Sequence, residues 1–174
     1  MLDVAISYNR YKFLGYEYLT WLWFVIERDQ DKIRKLDREP VSLQIGNRIV
    51  LENRQKDTME SITIKGDDAG LEEGVLALRK GAVVTEVNLS YNTGDQEWRF
   101  TIKAESLHIV GLKCPQTGPM VSEEDLEGAV LEKVYLYDKA LQFTDNLFRQ
   151  FITMRVSEDW NKKVIPLMRK WIYS

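Results

Sequence analysis

Tyr16-Glu17-Tyr18-Leu19-Thr20-Trp21-Leu22-Trp23-Phe24-Val25-Ile26 is the most apolar run in the chain. Leu14, Tyr18, Trp21, Leu22, Val25 and Ile26 recur at helical spacing, while Leu19, Trp23 and Phe24 fall on the opposite side. A helix that is apolar nearly all round is buried nearly all round, so the spacing predicts a central or interface helix over residues 14–28. The run is eleven residues long and holds Glu17 and Thr20. A bilayer span takes about 20 mostly apolar residues, so a protein core or interface is the expected setting. Toward the C-terminus the run passes into a charged stretch, residues 27–39, read as a solvated helix end and linker closed by Pro40. Toward the N-terminus, residues 1–13 are polar and tyrosine-rich. They read as a short strand or an ordered arm and lack the apolar core of a secretory signal.

Outward from this helix the period changes to two. Val41, Leu43 and Ile45 alternate with polar residues, Gly46-Asn47 is a two-residue turn signal, and Ile49 and Leu51 resume the alternation. Ile62 and Ile64 predict a third strand before Gly66-Asp67-Asp68. Residues 69–80 return to helical spacing through Leu71, Val75 and Leu78. Glu72 and Glu73 come early and Arg79 and Lys80 late, as the helix dipole favours, and Gly81 is the expected stop. A second strand set runs through Val83 or Val84, Val87, Leu89 and Tyr91, a turn at residues 92–95, then Trp98, Phe100 and Ile102, then Leu107, Ile109 and Leu112. Cys114-Pro115 through Gly118-Pro119 reads as a loop.

Ser122 with Asp125 resembles a capping box. It opens a long helix through Leu126, Val130, Val134, Tyr137, Leu141, Phe148, Phe151 and Ile152, on the order of 45–50 Å at the helical rise. Ser157 is the expected cap of a last helix carrying Trp160, Val164, Leu167, Met168, Trp171 and Ile172, kinked or restarted at Pro166. The expected fold is therefore α+β. Antiparallel strands form two three-stranded sets separated by a helix, with an N-terminal apolar helix and a C-terminal helix pair on the flanks. The 174 residues suit one domain, with residues 1–13 as an arm and 122–174 as its helical C-terminal part.

The chemistry-bearing residues are sparse. The chain has one cysteine, Cys114, and one histidine, His108. That excludes an internal disulfide and falls short of the four Cys or His ligands of a structural zinc site. His108, in the apparent strand around Leu107 and Ile109, reads as a solvent-facing strand histidine. His108 is the only histidine available as a base, Cys114 lies six residues along beyond Gly111, and no protease or hydrolase signature accompanies a Cys114–His108 pair. The acidic clusters Asp67-Asp68, Glu72-Glu73 and Glu123-Glu124-Asp125 sit at turns or helix N-termini, where capping and dipole effects account for them. A carboxylate-metal hydrolase working through Asp67 or Glu124 is the remote alternative. The chain reads as non-enzymatic, without cofactor or metal.

Aromatic and basic residues give the binding candidates. Tyr16, Trp23, Trp160 and Trp171 are aromatics of the type that anchor protein interfaces. Arg155, Lys162, Lys163, Arg169 and Lys170 make the C-terminal region locally basic, a face for an acidic partner or nucleic acid. The net charge of −3 lacks the global basic surplus of a free-standing duplex-DNA binder. Nucleic acid is therefore the less favoured partner.

Several stretches resemble the C-terminal portion of RdgC-like recombination-associated bacterial proteins. They are Phe13-Leu14-Gly15, Leu19-Thr20-Trp21-Leu22-Trp23-Phe24, Gly46-Asn47-Arg48-Ile49-Val50-Leu51-Glu52, Glu97-Trp98-Arg99-Phe100-Thr101 and Gly111-Leu112-Lys113. The resemblance covers about the first two thirds of the chain and lies in apolar, fold-forming positions. It implies a bacterial, cytoplasmic protein of DNA maintenance or recombination. RdgC itself is a non-enzymatic, ring-forming DNA binder, and the acidic balance here departs from that pattern. No DNA-contacting residue carries over. The chain is expected to be a stand-alone end piece that works beside proteins encoded nearby, as an accessory protein of DNA maintenance or of antiviral defence, CRISPR-associated systems included.

Overall fold

In the computed structural model, residues 9–36, 39–55, 58–118 and 126–174 are described. The apolar run forms helix α1, Phe13–Arg28, and its all-round hydrophobicity becomes all-round burial: Tyr18, Leu19, Trp21, Leu22, Trp23 and Val25 are fully enclosed. A single turn of helix, α2 (Gln30–Arg34), sets Ile33 into the same core. Then come strands β1 (Val41–Gln55) and β2 (Thr58–Lys65), helix α3 (Asp68–Arg79), and strands β3 (Val83–Thr93), β4 (Gln96–Lys103) and β5 (Ile109–Lys113). The long helix α4 (Leu126–Arg155) follows. A π-helical turn over Trp160–Val164 leads into α5 (Ile165–Tyr173). Most of the expected N-terminal arm, and the Ser122–Asp125 capping box, lie outside the described residues.

The strands build one antiparallel sheet in the order β2-β1-β3-β4-β5, not two sets of three. The difference turns on Gly46-Asn47. A two-residue type I′ turn needs positive φ at both central residues, and neither residue has it. β1 instead runs straight on through a bulge, where its register against β3 shifts between Ile45 and Ile49. Asn88 on β3 fills the bulge. Its Oδ1 accepts from the Asn47 backbone N–H at 3.0 Å, and its Nδ2 donates to Thr101 Oγ1 at 3.0 Å. Gly46 is needed for space: a Cβ there would lie 2.1 Å from Asn88 Oδ1, and one at Gly66 would lie 1.7 Å from the Gly46 carbonyl oxygen. The β3–β4 hairpin matches the alternation read from the sequence, with Thr93 paired to Gln96 across a Gly94-Asp95 turn, whereas β5 starts only at Ile109: Leu107, at φ 55°, and His108 lie before it, so His108 is exposed but is not a strand residue.

Helix boundaries follow local chemistry. The Asp67 carboxylate accepts from the Gly70 N–H at 2.9 Å and caps α3. Gly81, at φ 90°, ends it. Ser157 does not cap the last helix as expected, because its hydroxyl donates back to the Met154 carbonyl at 2.7 Å. Helical backbone runs on through Val164 and Ile165 into Pro166, and the π-helical turn just before it is where the ladder adjusts to a residue that has no N–H.

One face of the sheet is apolar. Leu43, Ile49, Leu51, Val87, Leu89, Tyr91, Trp98, Phe100 and Ile102 pack there with α1 and the C-terminal helices in a shared core. The other face is polar, with Glu86 bridging Arg48 at 3.3 Å and Lys103 at 3.2 Å. α4 is pinned to the sheet where the Trp98 indole N–H donates to the Leu136 carbonyl at 3.0 Å and Phe143 stacks on Tyr91 at 4.0 Å. No helix among the described residues is long and apolar enough to cross a membrane.

The start of α1 presses against the turn after β4. A Cβ on Gly15 would fall 1.8 Å from the Ala104 carbonyl oxygen. Glycine-to-alanine changes within helices ordinarily stabilise by up to about 1 kcal/mol. Gly15→Ala is expected instead to destabilise by about 1–3 kcal/mol through overpacking, read as a lower urea midpoint. A midpoint that is unchanged or raised would show that α1 does not sit this close to the sheet.

Candidate functional site

The four aromatics singled out from the sequence are buried in the chain's own core: Tyr16 at 9 % exposure, Trp23 at 0 %, Trp160 at 2 % and Trp171 at 5 %. Trp171 stands edge-on to Trp23 at 5.4 Å, and Trp160 stands edge-on to Phe151 at 5.7 Å. Glu27, at the end of α1, holds two of these residues together. Its Oε1 accepts the Trp23 indole N–H at 2.5 Å and its Oε2 accepts that of Trp171 at 2.9 Å. Arg79 of α3 donates to the Ile172 carbonyl and closes the same corner. Trp23 and Trp171 are turned away from the surface, while Glu27 and Arg79 join α1, α3 and α5 from the exposed rim of the corner.

The basic residues are split. Arg155 pairs with Glu17 of α1 at 2.6 Å and lies 5.3 Å above the Trp160 ring. Lys162 pairs with Glu158, and Lys163 with Asp159 at 3.0 Å. Arg169 and Lys170 are exposed on α5. Three of the five cations therefore have a carboxylate partner within the chain.

His108 and Cys114 stand at opposite ends of β5, with the five residues of that strand between them. At about 3.3 Å per residue they are too far apart to share a proton. They also line different cavities. One, of about 430 Å³, is lined by His108 with Leu107, Ile109, Leu141 and Phe148; the other, of about 420 Å³, holds Cys114 beside Lys133 and Tyr137. Burial pushes the Cys114 thiol above its ordinary range, partly offset by the neighbouring Trp98 indole. Among the described residues no group of three or more His, Cys, Asp or Glu could hold a metal ion. Asp67 is occupied as a helix cap, and Glu124 lies outside the described residues.

The feature that stands out is on α4. Leu126, Val130, Val134, Tyr137 and Leu141 recur every three or four residues along one side and are each between 48 and 58 % exposed. The same line continues through Thr144, Phe148 and Phe151, and there α1 covers it. The Tyr18 ring stands edge-on to Phe148 at 5.3 Å and lies 5.3 Å from Phe151. On this half Thr144 and Phe151 are buried and Phe148 is half-buried, and burial raises the pKa of the Tyr18 hydroxyl. The exposed half has acids along one flank, Glu127 and Asp138, and Lys133 on the other. The spacing of these residues, Thr144 apart, is visible in the sequence, but not that half of them stay uncovered. The available signal was a change in residue type, from Leu, Val and Tyr before residue 142 to Phe after it.

No family model, no curated protein and no solved structure matches the chain.

Two outcomes test this geometry. Glu27→Ala leaves both indole N–H groups without their acceptor and is expected to cost about 1–3 kcal/mol in chemical denaturation. A loss within error would mean that the carboxylate does not tie α1 to α5. A thiol whose pKa is raised has less thiolate at any given pH. Cys114 should therefore alkylate with iodoacetamide more slowly at pH 8 than an unhindered small thiol, gaining rate only above its ordinary range. Fast alkylation at neutral pH would instead mark an activated cysteine.

Proposed function

We propose that this chain is a non-catalytic accessory module that docks another protein on the exposed seam of α4. The observation that carries this reading is the seam itself: five apolar side chains in one line on a helix, half uncovered. Contiguous exposed apolar patches on soluble proteins commonly mark interaction sites. The tryptophans and tyrosine that could have anchored a partner are used up inside the core, and the seam, with Leu131 and Tyr135 exposed beside it, is the apolar surface that α4 leaves open. The setting in bacterial DNA maintenance or defence rests on the resemblance of the apolar stretches to RdgC-like proteins. Direct contact with nucleic acid through Arg155, Lys162, Lys163, Arg169 and Lys170 is the weaker alternative, since three of them already have carboxylate partners.

Site-specific photocrosslinking in the source cells separates the two. A photoreactive residue at Val134 should yield a discrete protein adduct, and one at Arg169 should not. An adduct confined to Arg169, or none at Val134, would contradict the docking reading.

A further inference from the structure

The exposed half of the α4 seam points to its occupant: we infer that it is an amphipathic helix of a different protein, with basic residues along one flank. This inference rests on the docking reading and names the partner's chemistry.

The shape of the occupant follows from continuity. Val130, Val134, Tyr137, Leu141, Thr144, Phe148 and Phe151 are spaced alternately by four and three residues, the spacing of a helix–helix seam. Over its second half the seam is covered by a helix, α1, through Tyr18. The first half has the same spacing on the same straight element, so a helix laid end-on to α1 would complete it. The uncovered stretch from Leu126 to Leu141 takes a segment of about four turns, on the order of 24 Å.

Charge then distinguishes a second copy from a different protein. Two copies paired in parallel would drive the partner's α4 into the space that α1 occupies at Phe148. Two copies paired antiparallel about a two-fold axis meet like flank to like flank. With the seam centred near Val134, Glu127 of each copy would then face Asp138 of the other, and the two Lys133 side chains would face each other across the axis. Flanking charges set partner choice and orientation in paired helices, and here they oppose self-pairing. They favour a helix whose flank brings lysine or arginine to Glu127 and Asp138. The five seam side chains offer on the order of 400–500 Å² of apolar surface, short of the ~800 Å² per partner of a standard stable interface. A reversible, micromolar contact is the expected result.

The test uses the full chain and two synthetic helical peptides of about 18 residues. They share a leucine seam and differ only in carrying lysine or glutamate on the flank. Fluorescence anisotropy should show the lysine peptide binding at least about tenfold tighter. Glu127→Lys with Asp138→Lys should invert that preference, an outcome that misfolding cannot produce. Val130→Ser with Val134→Ser should weaken the lysine peptide by about tenfold without lowering the thermal midpoint, as both residues are exposed. Equal binding of the two peptides would overturn the inference. So would a dimer in sedimentation equilibrium that Val134→Ser dissolves, which would leave the docking reading intact. Neither peptide bound and no dimer would overturn both.

Discussion

Helix α1 has to be covered on every side. From Tyr16 to Ile26 its apolar residues leave no face for water, and Leu19, Leu22, Trp23 and Val25 are fully enclosed. Each layer of the structure answers that requirement. The sheet supplies one wall through β3, α4 supplies another through Phe148 and Phe151, and α5 closes the end through Trp171. Glu27 makes the closure directional, because a carboxylate that accepts from both Trp23 and Trp171 holds the last helix in a single position. Burying an indole without a partner for its N–H would be costly, so this acid stabilises the corner through geometry as much as through charge.

The same requirement explains the surface left open. α1 has 16 residues and α4 has 30, about 24 Å and 45 Å at the helical rise. The shorter helix can seal only part of the longer one. The part of α4 that α1 reaches carries phenylalanine, with Phe151 fully enclosed and Phe148 half-buried. The part beyond carries leucine, valine and tyrosine with acids beside them, a composition that tolerates solvent yet keeps an apolar line. Tyrosine in particular offers a ring to a partner and a hydroxyl to water. The apolar seam is thus the excess length of one helix over another.

Much of this was legible in the sequence because periodicity is a local property. α1, α3 and the β3–β4 hairpin follow from spacing alone, with Asp67 and Gly81 marking where α3 begins and ends. The joining of the strands into one sheet was not legible. Gly46-Asn47 signals a hairpin to a local reading, and what makes it a bulge is Asn88, forty-one residues away, together with the close approach of Gly66. The candidate site failed for a related reason. Helical spacing shows which side of a helix is apolar but not what lies against it, so buried Trp160 and exposed Val134 look alike. Trp23 and Trp171 resembled interface anchors because nothing nearby in sequence shows that Glu27 binds both.

A single seam on α4 is covered by α1 in one half and open in the other. Hydroxyl-radical footprinting of the isolated chain measures this at side-chain resolution. The account predicts strong labelling of Tyr135, Tyr137 and Leu141 beside protection of Phe151 and Trp160. Equal protection along the whole of α4 would contradict it.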